Sequence, residues 1–124
     1  QVKENTGWDI KIADHLTELH LSGNRLTNQG IGPLITSISE NHELIKKMSV
    51  LDLSYNKLGS QGIKHIISFV KNDECELSHL NLEANCLGNM LIQKLTNEIV
   101  NNLALKIKYI NFGQNNLYDD IALT

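Results

Sequence analysis

Arginine is almost absent from this chain of 124 residues: of its 11 basic side chains only Arg25 carries a guanidinium. Arginine does much of the reading of bases and phosphates. The formal charge is −3, with 14 acidic residues, so no basic excess is available to neutralise a phosphate backbone. Nucleic acid is therefore not an expected partner. Cysteine occurs twice, as Cys75 and Cys86. Disulfide-stapled secreted domains use many more, so both are expected as free thiols in a reducing compartment. Asn-x-Ser/Thr acceptors are missing despite many asparagines, and no charged-then-apolar signal segment follows Gln1. These absences point to an intracellular, cytoplasmic site of action. No apolar run approaches the roughly 20 residues that span a bilayer, and no membrane association is expected. Apolar residues make up 41%, enough for one folded domain with a continuous core.

What the chain does contain is a repeat. Leu16-x-x-Leu19-x-Leu21-x-x-Asn24-x-Leu26 returns as Met48-x-x-Leu51-x-Leu53-x-x-Asn56-x-Leu58. It comes back as Leu77-x-x-Leu80-x-Leu82-x-x-Asn85-x-Leu87 and as Ile107-x-x-Ile110-x-Phe112-x-x-Asn115-x-Leu117. The asparagines stand 32, 29 and 30 residues apart. Between the frames, apolar residues fall at helical spacing: Ile31, Leu34, Ile35 and Ile38; then Ile63, Ile66, Ile67 and Val70; then Leu91, Ile92, Leu95 and Ile99, extended by Val100 and Leu103. Ser60 is the expected N-cap of the second helix. Gly30 and Gly62 are expected to mark the turn into their helices. Pro33, the only proline, fits only a first turn, so the first helix is expected to start near Ile31 or Gly32. Residues His42 to Lys47 lengthen the first unit and are expected as a surface excursion.

The frame resembles that of the leucine-rich-repeat family over nearly the whole chain, and unit lengths near 30 resemble its helix-bearing, ribonuclease-inhibitor-like intracellular subtype. The resemblance implies an α/β solenoid, a horseshoe with parallel strands on its concave face and helices on its convex face. Residues 1–15 would be an N-terminal flank or the end of a preceding repeat, and residues 16–124 four units, the last incomplete. Asn24, Asn56, Asn85 and Asn115 would form a structural ladder that satisfies buried backbone amides. Equivalent positions on stacked strands lie about 5 Å apart, so the concave face reads as columns. These are Glu18, Val50, His79 and Tyr109; His20, Asp52, Asn81 and Asn111; Ser22, Ser54, Glu83 and Gly113; and Gly23, Tyr55, Ala84 and Gln114.

The implied function is protein binding on that face. Tyr55 and Tyr109 are its expected anchors, since tyrosine is over-represented at interface hot spots. Glu18, Asp52 and Glu83 would steer a partner with a basic patch. His20, Val50, His79, Asn81, Asn111 and Gln114 complete the candidate surface. His20, Asp52 and Ser54 have the residue types of a hydrolase triad, but an open strand face supplies no water-excluding cleft or spare amides, so no catalysis is expected. Glu18, His20, Asp52, His79 and Glu83 are metal-ligand types spread over three strands, and no metal or cofactor is expected. Cys75 and Cys86 are expected as semi-buried packing, and His15, His42 and His65 as solvent-facing. Chains with this kind of repeat include immune-receptor sensor arms, small-GTPase regulators and bacterial effectors acting in the host cytosol. A delivered effector is thus one expectation, and a regulatory segment of a larger enzyme or GTPase regulator is the alternative. The protein is expected as a monomer, or to associate end to end through uncapped repeats.

Overall fold

A computed structural model describes residues 17–101 and 106–115 of the chain. The readings made for residues 1–15, Leu16, Leu103 and residues 116–124 lie outside them. Four strands of three residues each arise where the frame leucines alternate with polar residues: β1 (Glu18–His20), β2 (Val50–Asp52), β3 (His79–Asn81) and β4 (Tyr109–Asn111). They pair in parallel in chain order, with Leu19, Leu51, Leu80 and Ile110 in register. Parallel neighbours need crossovers, supplied by α1 (Thr27–Glu40), α2 (His42–Lys47), α3 (Gly59–Val70) and α4 (Asn89–Val100). The result is an α/β repeat fold.

Alternation within each strand sends one set of side chains into a single core. Leu51, Leu53, Leu58, Leu80, Leu82 and Leu87 are fully buried there with Ile31, Ile35, Ile38, Ile63, Ile66, Val70 and Leu95 of the helices. Full burial of each such side chain contributes roughly 1.5–3 kcal/mol, which is what the periodic pattern supplies. At the two edges of the described stack the equivalent residues are only partly buried: Leu19, Leu21 and Leu26 at one, Ile107, Ile110 and Phe112 at the other.

Several local expectations are corrected. α1 starts at Thr27 and α3 at Gly59, and neither has a side-chain cap, so Ser60 lies inside its helix. The helix-start donors are satisfied from the next repeat instead: Thr27 N–H donates to the Asn56 carbonyl at 2.8 Å, and Gly59 N–H to the Asn85 carbonyl at 3.1 Å. Pro33 therefore sits well inside α1, on its exposed side, where the Gln29 carbonyl it leaves unbonded can face water. Gly62 lies within α3: a Cβ there would come 2.8 Å from the Leu58 Cβ and 3.5 Å from Ile31 Cγ2, so it serves close packing on α1. Residues 42–47 are the helix α2 and bury Leu44 and Ile45 in the core. Asn41 caps it by accepting from the Leu44 N–H at 3.0 Å, with Glu43 in its first turn and Lys46 and Lys47 in its last. His42, though exposed, is not isolated: its Nδ1 lies 2.6 Å from Glu74 Oε1. Val100 is 67% exposed and does not extend the α4 stripe, whereas Phe69, outside the expected stripe, is buried.

The two thiols also part company. Cys75 is buried, and burial raises its pKa against the lowering effect of a backbone hydrogen bond from Leu77. Cys86 is exposed, because it follows Asn85 at a corner where the asparagine side chain takes the inward position. Iodoacetamide at neutral pH should modify Cys86 in the native protein and Cys75 only after unfolding, as peptide mass spectrometry would read. Rapid native labelling of Cys75 would contradict this packing.

Candidate partner-binding face

The corners hold the face in shape. Asn56, Asn85 and Asn115 are buried and line up through shared bonds. Asn56 Oδ1 accepts from Asn24 N at 3.0 Å and Leu26 N at 3.1 Å. Asn85 Oδ1 accepts from Asn56 N at 3.0 Å and Leu58 N at 3.3 Å. Asn115 Oδ1 accepts from Asn85 N at 2.7 Å and Leu87 N at 3.0 Å. Their Nδ2 groups donate back to strand carbonyls, Asn85 to Leu53 O at 2.9 Å and Asn115 to Leu82 O at 3.0 Å. Asn24, at the edge, is exposed, and among the described residues its Nδ2 donates to Leu21 O and Ser22 O of its own turn.

Around each corner the backbone enters the left-handed region. The residue before each asparagine has positive φ (Gly23 +73°, Tyr55 +58°, Ala84 +56°, Gln114 +53°), and so does the residue after the first three: Arg25, Lys57 and Cys86. Non-glycine residues hold such angles only where surrounding bonds over-determine them. The asparagine ladder does so here. One consequence is that Tyr55 is held pointing out of its corner, 46% exposed.

Strand register assembles the first two columns: Glu18, Val50, His79 and Tyr109 are successive partners, as are His20, Asp52, Asn81 and Asn111. In the first, His79 and Tyr109 form a ring pair at 5.6 Å, with Tyr109 59% exposed. The second column serves the turns as well. Asp52 Oδ1 accepts from Ser54 N at 3.0 Å, Asn81 Oδ1 from Glu83 N at 3.0 Å and Asn111 Oδ1 from Gly113 N at 2.8 Å. Reading the residues in frame missed this role; the signal was an Asp or Asn two positions before the turns that follow β2, β3 and β4, which is the Asx-turn arrangement. Glu83 gathers the far end of the face, accepting from Gln114 Nε2 at 2.9 Å and Asn111 Nδ2 at 3.4 Å.

The triad types do not assemble into a triad. The Ser54 hydroxyl donates to Asp52 Oδ1 at 2.7 Å and lies 2.8 Å from the Ser22 hydroxyl, while the hydrogen bond of His20 is to Glu18, at 3.0 Å. Among the described residues no three His, Cys, Asp or Glu side chains are grouped to hold a metal ion. A shallow depression of about 310 Å³ lies along α4, lined by Met90, Gln93, Lys94, Asn97 and Glu98, and takes in none of the strand-face residues.

His20 sits between two carboxylates, with Nε2 3.0 Å from Glu18 Oε1 and Nδ1 3.7 Å from Asp52 Oδ2. The Glu18 hydrogen bond raises its pKa above 6.5, desolvation opposes the rise, and Asp52 adds to it. A raised folded-state pKa means that the protonated form favours the folded arrangement at low pH and that this contribution fades as pH climbs through the folded value. The His20 ring should titrate above 6.5 by NMR, and Glu18→Gln should bring the midpoint down. An unchanged midpoint would remove Glu18 as its principal partner.

Parallel strand–helix units joined through buried corner asparagines define a helix-bearing repeat protein. A family model described as Leucine Rich repeat matches residues 14–34 and 46–66, and the chain is a leucine-rich-repeat protein. It is similar to the Tonsoku-like protein of Mus musculus, 29% identical over 73% of this chain and 6% of that protein. It is similar also to the NACHT, LRR and PYD domains-containing protein 14 of Homo sapiens, at 30% over 73% of this chain and 8% of that protein. Protein PAC2 of Saccharomyces cerevisiae is 37% identical over 70% of this chain and 15% of its own length. The chain thus spans between 6% and 15% of these curated relatives. Among solved structures, leiomodin-1 actin-binding site 2 shares the fold, with a TM-score of 0.68 at 15% identity over 86% of this chain and 58% of that one. Domains of this family generally mediate protein–protein interaction.

Proposed function

We propose that the chain is a protein-interaction scaffold of horseshoe form, whose concave strand face receives a partner protein bearing a basic patch. The observation that carries this reading is that Tyr109, 59% exposed, pairs with His79 on the strand face while Tyr55, at the corner after β2, is 46% exposed. Large amphipathic rings give contact area at low entropic cost, and the carboxylates guide encounter more than they add affinity. Asp52, Asn81 and Asn111 contribute mainly through shape, because their side chains are committed to the turns. Two unpaired cysteines support a reducing compartment for the interaction. The span of 15% or less of the curated relatives favours a second reading: an interaction or regulatory segment of a larger enzyme or small-GTPase regulator.

Affinity capture with Tyr55→Gly and Tyr109→Ala tests the reading. Glycine suits position 55, since Gly23 occupies the equivalent corner at φ +73°, so the ring is removed without disturbing the turn. Retention of the principal bound protein should fall at least about tenfold in the double variant, as loss of two aromatic anchors implies. Undiminished capture would overturn the proposed face.

A further inference from the structure

Carboxylates are balanced differently on and off the strand face. Away from the strands, Glu43, Glu74, Glu76 and Glu98 pair with Lys47, Lys46, Lys106 and Lys71, at 3.1–3.8 Å. A lysine keeps its charge throughout the neutral range, so these carboxylates are permanently matched. The four strands and their turns, residues 18–24, 50–56, 79–85 and 109–115, hold Glu18, Asp52 and Glu83 and neither lysine nor arginine. Arg25 and Lys57 come only after the corners. Glu83 accepts from the neutral amides of Gln114 and Asn111.

For Glu18 and Asp52 the cation is His20, whose ring lies between them. The His20 and Glu18 side chains are 58% and 56% exposed, so both can turn aside without uncovering the core. Asp52 is 21% exposed and fixed. Its Oδ1 accepts from the Ser54 N–H and hydroxyl, and Oδ2 is the oxygen turned to His20. Among the described residues the charged groups that act on His20 are these two, Glu18 from its own strand and Asp52 from β2. They keep it charged into the range where an ordinary histidine has become neutral. A planar imidazolium with N–H donors at opposite edges shares the chemistry of a guanidinium, which also bridges carboxylates.

We infer that His20 is a placeholder for an arginine of the partner protein, which takes over Glu18 and Asp52 while the imidazole leaves as the neutral base. The inference rests on the strand face being the contact surface. Charge complementarity selects the occupant: among the described residues, the only cation between these carboxylates is one that can give up its charge. Its proton passes to solvent on binding, so the partner binds more tightly as pH rises through the histidine range. At the four lysine pairs off the face, an incoming arginine would only replace one fixed cation by another and gain little.

Nuclear magnetic resonance of the whole chain, with a tetra-arginine amide peptide as probe, tests this. Saturating peptide should lower the His20 midpoint by about half a pH unit, and the peptide should bind about threefold more tightly once His20 is neutral. His20→Gln, which has no titrating ring at this position, should bind at the tighter level and lose most of that pH step. Asp52→Asn keeps the turn, since Asn81 and Asn111 make the same bond in the next two repeats. It should cut the displacement of the His20 midpoint by at least about half. A His20 midpoint unmoved by the peptide, an equal pH step in His20→Gln, or His42 ring signals displaced as far as those of His20 would overturn the inference. The strand-face reading fails separately, through capture that ignores the loss of Tyr55 and Tyr109.

Discussion

Asn85→Ala should lower the free energy of unfolding by about 3–5 kcal/mol, as measured by urea denaturation at low protein concentration. The side chain is fully buried and works in both directions. Its oxygen accepts from Asn56 N and Leu58 N, and its amide donates to Leu53 O at 2.9 Å and Glu83 O at 3.2 Å. Alanine strands the Asn56 and Leu58 N–H groups, whereas Leu53 O keeps the Asn56 amide and Glu83 O keeps the Tyr55 N–H. Each buried group stranded in this way costs about 1–3 kcal/mol, which is a large fraction of the roughly 5–15 kcal/mol that holds a domain together. Asn24→Ala makes the internal control. That residue is exposed, and among the described residues its amide serves its own turn, so its loss should cost less than about 1 kcal/mol. Equal costs at the two positions would mean that the ladder does not hold the repeats together.

Phe69→Ala should be of similar size, about 3–5 kcal/mol. Phe69 lies near the end of α3, is 1% exposed and belongs to the same core cluster as Leu51, Leu53, Leu80 and Leu82. Removing the ring deletes its transfer energy and leaves a cavity among close-packed side chains that relax only in part. Phe69→Leu should recover more than half of the loss, since it refills most of that volume. Thermal or urea unfolding of the two variants side by side gives the comparison, and equal destabilisation would indicate that the ring site is not packed.

Phe69 also marks how far the sequence could be read. The strand segments, their register and the inward stripes of α1 and α3 follow from burial, which constrains residue type at every repeat: Leu51, Leu80 and Ile110 align because only large apolar side chains fit the spine. Corner asparagines are legible for a similar reason, since few side chains can both accept from and donate to backbone groups at one turn. Phe69 has no equivalent in the other repeats, where Ser37 and Glu98 take its place, so periodicity carries no signal for it. The helix starts were hidden because their donors are satisfied by Asn56 and Asn85 of the following repeat, contacts between residues far apart in the chain. Inserted helix α2 read as a loop since six residues hold too little periodicity, although Asn41 before it is a recognisable cap. On the candidate face, the columns could be written down from the frame alone. What could not be seen was that Asp52, Asn81 and Asn111 spend their oxygens on the next turn, or that Tyr55 is aimed outward by a left-handed backbone.

The proposed contact surface is tested most directly by placing a photo-crosslinking benzoyl-phenylalanine at Tyr109 on the strand face and, in a separate protein, at Met90 on α4. Both positions are well exposed, at 59% and 70%, so reagent access does not favour either. Irradiation in a lysate of the native source should attach the same partner protein reproducibly at position 109, with attachment suppressed by Tyr55→Gly, and should leave position 90 without it. Attachment of that partner at position 90 and none at position 109 would place the contact on the helices and contradict the strand face as the binding surface.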